Sequence, residues 1–168
     1  MNEELEPCPS SHYTPYETID LLFKDITFNE DENTLEPTAG REMRMFNKIP
    51  FEKDWCEIDL GRDLFTYDFG DKKFDKIITN PPYRSNHKQG HRINLAIKTI
   101  EKSFELCKDE CWFLLNNQMF NSLTKKRLEK YKELGFCIVF MRVLEIKCWF
   151  GRYYWVCFKK GGKSIITF

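Results

Sequence analysis

The sequence predicts an α/β fold: a three-layer sandwich on a mostly parallel sheet, closed by an antiparallel C-terminal hairpin. Three observations carry this expectation. Short runs of strand composition alternate with amphipathic helical periods, the order in which parallel sheets are wired. Cys111 to Leu115 is a continuous apolar run too short for a helix, as in a strand covered on both faces. The chain then finishes in two runs rich in Val, Ile, Phe, Tyr and Trp, Phe136 to Leu144 and Tyr153 to Phe158, joined by a connection containing Gly151.

Taken in order, the first ordered element starts at Thr14. Thr14-Pro15-Tyr16-Glu17 offers an N-cap hydroxyl, a proline at the first helical position and an N3 glutamate, ahead of Ile19, Leu22 and Phe23. Strands follow at Thr34 to Glu36, Asp54 to Asp59 and Phe74 to Thr79, the last two bounded by Gly, Pro, Asn or Asp. From Ile93 a long helix is expected, because Ile93, Ala96, Ile97, Ile100 and Phe104 recur at three and four while Lys98, Glu101, Lys102 and Glu105 take the other face. Cys107 closes that helix. A further helix spans Thr124 to Leu134 and stops at Gly135.

With 168 residues, 42% of them hydrophobic, the chain is long enough to bury its own core, which predicts one domain over residues 13–168 behind a mobile tail at 1–12. The 26 basic and 26 acidic residues cancel, excluding a strongly basic nucleic-acid module or a polyacidic disordered chain. Any charged partner is met by a local patch. Seven cysteines, an odd number mostly inside apolar runs, fit a reducing intracellular setting better than a disulfide framework. The acidic Met1 to Pro9 lacks the layout of a signal peptide, and no apolar run approaches a membrane span.

The sharpest chemical signal is Asn80-Pro81-Pro82-Tyr83, placed directly after the strand Phe74 to Thr79. Ligands of open α/β sheets bind at the carboxyl ends of strands. An exocyclic amine conjugated to a ring is a poor nucleophile, and two acceptors for its N–H groups favour the reactive tetrahedral form. The Asn80 side-chain oxygen and the Pro81 carbonyl offer those acceptors. Paired prolines hold a carbonyl stiffly, and Tyr83 offers a face on which a planar substrate can stack.

Thr79-Asn80-Pro81-Pro82-Tyr83 resembles the catalytic motif of S-adenosylmethionine-dependent amino-methyltransferases, chiefly the N6-adenine DNA enzymes. Other segments follow the family's order. Tyr13-Thr14-Pro15 resembles the segment that touches the methionine part of the cofactor. Leu35-Glu36-Pro37-Thr38-Ala39-Gly40 resembles the first cofactor loop, with Gly40 letting the backbone approach a ligand. Cys56-Glu57-Ile58-Asp59 resembles the segment whose acid takes the ribose hydroxyls; spacing favours Glu57, with Asp59 second. Asp63 resembles the acid that accepts the adenine amino group of the cofactor. Between the last two strands, Phe150, or else Trp149, resembles the aromatic residue that stacks on the far face of an extruded base.

The resemblance implies a small Rossmann-like class I methyltransferase that uses S-adenosylmethionine to methylate the exocyclic N6 of adenine in nucleic acid, with DNA ahead of RNA. Enzymes that methylate a glutamine side chain or structured RNA share the motif, and a non-catalytic methyltransferase-like subunit of a complex is the other alternative. Where the family's loop continues with a second glycine, this chain has Arg41-Glu42, and a carboxylate there opposes the cofactor's own carboxylate. The helix after this loop is expected to be abbreviated or irregular. No residues remain for a target-recognition domain, so a protein partner is one source of sequence specificity. Arg84, Lys88 and Arg92 are the basic candidates for phosphate contact, with Lys125, Lys126 and Arg127 behind them. A zinc site from His87, His91, Cys107 and Cys111 is disfavoured because it demands a different fold. No metal is expected, and no membrane partner.

Overall fold

The computed structural model describes residues 13–86, 92–147 and 149–167; the expected tail over residues 1–12 lies outside them. Among the described residues, helices α1 (Tyr16–Phe23), α2 (Arg44–Lys48), α3 (Leu95–Leu106), α4 (Asn117–Asn121) and α5 (Lys125–Glu133) accompany eight strands. These are β1 (Asn33–Glu36), β2 (Glu52–Trp55), β3 (Phe74–Thr79), β4 (Arg84–Asn86), β5 (Arg92–Asn94), β6 (Cys107–Asn116), β7 (Phe136–Glu145) and β8 (Arg152–Lys160). Six of them form one sheet in the order β2, β1, β3, β6, β8, β7, while β4 and β5 pair separately. The four strands from β2 to β6 run parallel, and β8 pairs antiparallel with both β6 and β7. The predicted α/β sandwich and its antiparallel closure are therefore what the chain forms.

Alternation along the central strands sends residues to two cores. Ile77, Cys111, Phe113, Leu115, Val156 and Phe158 face one core, covered by Ile97, Ile100 and Phe104 of α3 and Tyr131 of α5. Ile78, Trp112, Leu114, Trp155 and Cys157 face the other, covered by Ile19 and Leu22 of α1 and Met45 of α2. Cys56, Cys107, Cys111 and Cys157 are buried free thiols that act as small apolar side chains. Among the described residues no helix is long and apolar enough to cross a membrane.

Several boundaries differ from expectation, each for a local reason. The strand expected over Asp54 to Asp59 stops at Trp55, because the Glu57 carboxylate accepts the Asp59 N–H and opens a 3-10 turn at Ile58–Leu60. The long helix starts at Leu95, not Ile93: Asn94 caps it by accepting the Ile97 N–H at 3.1 Å, and Ile93 belongs to β5. Cys107 closes α3 as its C-cap, as expected, and with its backbone already extended and paired to Phe74 it also begins β6. Thr14 does not cap α1; Pro15 occupies that position, and the Thr14 hydroxyl is engaged elsewhere. The helix after the first loop, α2, is short, and Met43 before it takes a left-handed backbone with φ of 51°.

Candidate active site

From β1 the chain steps outward to β2 and returns on the other side of β1 as β3, so β1 and β3 flank a topological switch point. Their ladder ends at Leu35 and Ile77, leaving Glu36 and Thr79 beyond it. The hydroxyls of Thr38 and Thr79 lie 2.5 Å apart and tie the two loops together at their roots. Segments from four parts of the chain converge here.

Asn80 follows β3. Its side-chain N–H donates to the Thr14 hydroxyl at 3.2 Å, and its side-chain oxygen accepts the Tyr83 hydroxyl at 2.9 Å. Both ends of the amide are thus held, which fixes which way its oxygen points. Pro81 is buried and Pro82 exposed. The Tyr83 ring is half-buried and packs against both cores, and burial pushes its phenol well above the ordinary range, so it remains a neutral donor. The sequence expectation gave this ring an open face; the packing leaves only part of it for a substrate.

Tyr13 packs against the loop after β1: a Cβ added at Gly40 would lie 2.9 Å from Tyr13 Cε1, and Gly40 has a φ of +69°. Both facts require glycine there. The Gly40 N–H donates to Glu57 Oε2 at 2.6 Å, and the loop is further laced to the end of β2 by Ala39 N–H to Cys56 O and Cys56 N–H to Glu36 O, each 2.9 Å. Pro37 is buried beneath this loop.

Glu36 is 3% exposed. Burial raises its carboxyl well above the usual range, and the nearby Glu57 adds to this; the Phe46 N–H and the Lys53 ammonium act in the opposite direction. Lys53 itself donates to the carbonyls of Phe46 and Ile49 at 2.9 and 2.8 Å. Among the described residues Glu36 Oε2 has no hydrogen-bond partner.

Of the two acids considered after β2, Glu57 is turned toward Gly40, whereas Asp59 is exposed and paired with Arg41 at 2.9 Å. Asp63 accepts the Phe65 N–H at 3.0 Å through Oδ1 and lies near the Cys56 thiol, which burial pushes up to about 11. Arg62 donates to Asp54 at 2.7 Å and stacks between Trp55 and Tyr67, with 4.5 and 4.1 Å to the ring centroids.

At the hairpin between β7 and β8, Trp149 packs on Tyr153 with centroids 5.0 Å apart, while Phe150 is wholly exposed. β8 starts opposite the carboxyl end of β6, with Tyr153 paired to Asn116, so this hairpin stands at the same end of the sheet as Asn80. A cavity of about 590 Å³ lies beside it, lined by residues that include Trp149, Phe150 and Arg152. Arg84 and Arg92 lie in the β4–β5 ribbon, where Arg84 is registered with Asn94 and Arg92 with Asn86. Lys88, His87 and His91 fall outside the described residues. Arg127 donates to the Ser122 carbonyl, and Lys125 pairs with Glu129 at 3.8 Å. Thr38 and Thr79 lie inside motif segments but were not singled out by sequence, and Arg44, whose guanidinium lies over the Tyr13 and Tyr16 rings, carried no motif signal in the sequence.

The family model for Eco57I restriction-modification methylases matches residues 14–136. No curated protein sequence matches the chain. Among solved structures, a Listeria monocytogenes protein described as a class I S-adenosylmethionine-dependent methyltransferase aligns with a TM-score of 0.63 at 14% identity, over 90% of this chain and 60% of that one. A Pyrococcus horikoshii protein described as an RNA methyltransferase gives 0.62 at 16% identity, over 94% and 93% of the two chains. A modification subunit described as part of a type I restriction enzyme from Vibrio vulnificus gives 0.62 at 14%, over 90% of this chain and 45% of that one. The chain thus spans less than two thirds of the Listeria protein and less than half of the Vibrio protein.

Proposed function

Because the chain belongs to the Eco57I restriction-modification methylase family and has the class I methyltransferase fold, we propose that it transfers a methyl group to the exocyclic N6 of adenine in DNA. The fold implies S-adenosylmethionine as cofactor. The residues present fit that group: Glu36 has an unpaired buried oxygen, and Glu57 and Asp63 keep acceptor capacity at the end of β2, beside the Gly40 loop on which Tyr13 packs. Tyr13, Thr14, Pro15, Glu36, Pro37, Gly40, Glu57 and Asp63 would hold the cofactor. Its sulfonium supplies an electrophilic methyl group.

The observation that carries this reading is Asn80, clamped by Thr14 and Tyr83 at the carboxyl end of β3. A carbonyl oxygen has two lone pairs, so Asn80 Oδ1 can accept an amine N–H while still accepting the Tyr83 hydroxyl. With the Pro81 carbonyl as the second acceptor, the amine's lone pair is turned toward the donor methyl and its two protons are held in place. Positioning of the two reactants then supplies most of the acceleration. Tyr83 supports one face of the base and Phe150, at the exposed tip of the hairpin, the other.

The test offers S-adenosylmethionine carrying a labelled methyl group to single-stranded DNA, duplex DNA and RNA, followed by nucleoside digestion and mass spectrometry. Label in N6-methyladenine from DNA, lost in Asn80→Ala, is expected. Undiminished transfer by Asn80→Ala, or label in another nucleoside, rejects the assignment. A second reading, an impaired methyltransferase-like subunit, rests on Glu42 at the position of the second glycine. Calorimetric titration separates the two, since that reading requires no heat at millimolar S-adenosylmethionine.

A further inference from the structure

The loop after β1 departs from its glycine-rich pattern at Glu42, and that carboxylate has a partner in the fold. Arg44 Nε and Nη2 both donate to Glu42 Oε2, each at 2.6 Å. Arg44 Nη1 donates to the Thr14 carbonyl at 3.5 Å, and the guanidinium lies over the rings of Tyr13 and Tyr16, 5.4 and 5.0 Å from their centroids. The Arg44 side chain is 16% exposed, that of Glu42 45%. A permanently charged group is therefore fixed between the Tyr13–Thr14 segment and the Gly40 loop, two of the segments proposed above to hold the cofactor.

Resting on the reading of this cleft as the cofactor pocket, we infer that Arg44 is the counter-ion for the amino-acid carboxylate of S-adenosylmethionine, and that Glu42 is an internal competitor for the same guanidinium. A planar guanidinium pairs best with a carboxylate through two parallel N–H···O bonds. Glu42 offers one oxygen to two donors, so its hold is geometrically poorer than the pairing an incoming carboxylate can make. Glu42 is half-exposed and is rehydrated when released, which makes the exchange cheap. Tyr13 and Tyr16 hold the guanidinium plane in place through either pairing. Where a second glycine would admit the ligand to the backbone, this chain presents a side-chain cation.

Calorimetry with S-adenosylhomocysteine and with its carboxamide, which lacks only the negative charge, tests the exchange. The folded chain should bind the acid more tightly than the amide. Arg44→Gln should weaken the acid roughly tenfold, as for loss of one charge-assisted pair, and leave the amide unchanged. Glu42→Gln should tighten the acid several-fold, the opposite sign, because it removes the competitor. Equal losses for both ligands in Arg44→Gln, or weaker acid binding in Glu42→Gln, overturn the inference and leave a structural ion pair. Should Arg44→Gln fail to fold, Glu42→Gln decides alone. If the native chain binds neither ligand, the cofactor reading falls first and this inference with it.

Discussion

Thr14 and Asn80, 66 positions apart in sequence, are joined side chain to side chain: the Asn80 amide donates to the Thr14 hydroxyl at 3.2 Å. The segment before α1 and the loop after β3 are thereby locked in one geometry. Thr14, 5% exposed, would be wasted as a helix cap; its hydroxyl instead sets the direction of the Asn80 oxygen.

Thr14→Val keeps the shape and removes the acceptor. Stability should fall by about 1 kcal/mol, the cost of one buried hydrogen bond, and kcat roughly tenfold as Asn80 loses its orientation. Denaturant melts and single-turnover methyl transfer measure the two effects. Tyr83→Phe, which removes the grip on the other end of the amide, should lower kcat with little loss of stability, because its ring still packs on both cores.

Glu36 makes stability depend on pH in a defined direction. Its carboxyl is raised by burial above the value of about 4.5 expected when unfolded, so the folded state binds the proton more tightly. Its contribution is complete below that pH and declines as pH rises through the raised value. Glu36→Gln should accordingly stabilise the chain at pH 8 relative to the native protein and much less at pH 4. Urea midpoints for both proteins across this range check the sign; a difference that shrinks with rising pH contradicts it.

The two aromatic residues at the β7–β8 hairpin should separate cleanly. Phe150→Ala is expected to change stability by less than about 0.5 kcal/mol while weakening single-stranded DNA binding by about 1 to 3 kcal/mol. Trp149→Ala should cost about 2 kcal/mol of stability, since that ring packs on Tyr153 and the second core. Denaturant melts and fluorescence anisotropy distinguish them.

Lys76 on β3 is 3% exposed and pairs with Glu32. Glu32→Ala leaves a buried ammonium without its partner and should destabilise by about 3 kcal/mol, whereas Lys76→Met together with Glu32→Gln should be close to neutral. Thermal melts at neutral pH read both.

Two central strands were legible from their apolar runs. Phe74 to Thr79 forms a strand with those limits, and Cys111 to Leu115 is the doubly covered centre of β6. Apolar periodicity reports which faces are buried, and burial is what makes these elements form. The ends were less legible because they depend on single side-chain bonds: Asn94 to Ile97 for α3, and Glu57 to Asp59 for the turn that cuts β2 short.

Local chemistry along the chain sufficed for the α/β architecture and the position of Asn80-Pro81-Pro82-Tyr83 after a central strand, whereas the glycine at residue 40, expected for ligand approach, is required by its left-handed backbone and by Tyr13 packed against it. Folding decided the partners. Thr14 bonding Asn80 instead of its own helix, the Gly40 N–H as the partner of Glu57, Trp149 packing inward beside an exposed Phe150, and Arg44 pairing with Glu42 all arise where separate segments meet. Side-chain hydrogen bonds and ion pairs act over about 3 Å, so which polar groups find each other depends on how strands and loops converge in space, a distance that neighbouring residues in the chain do not encode.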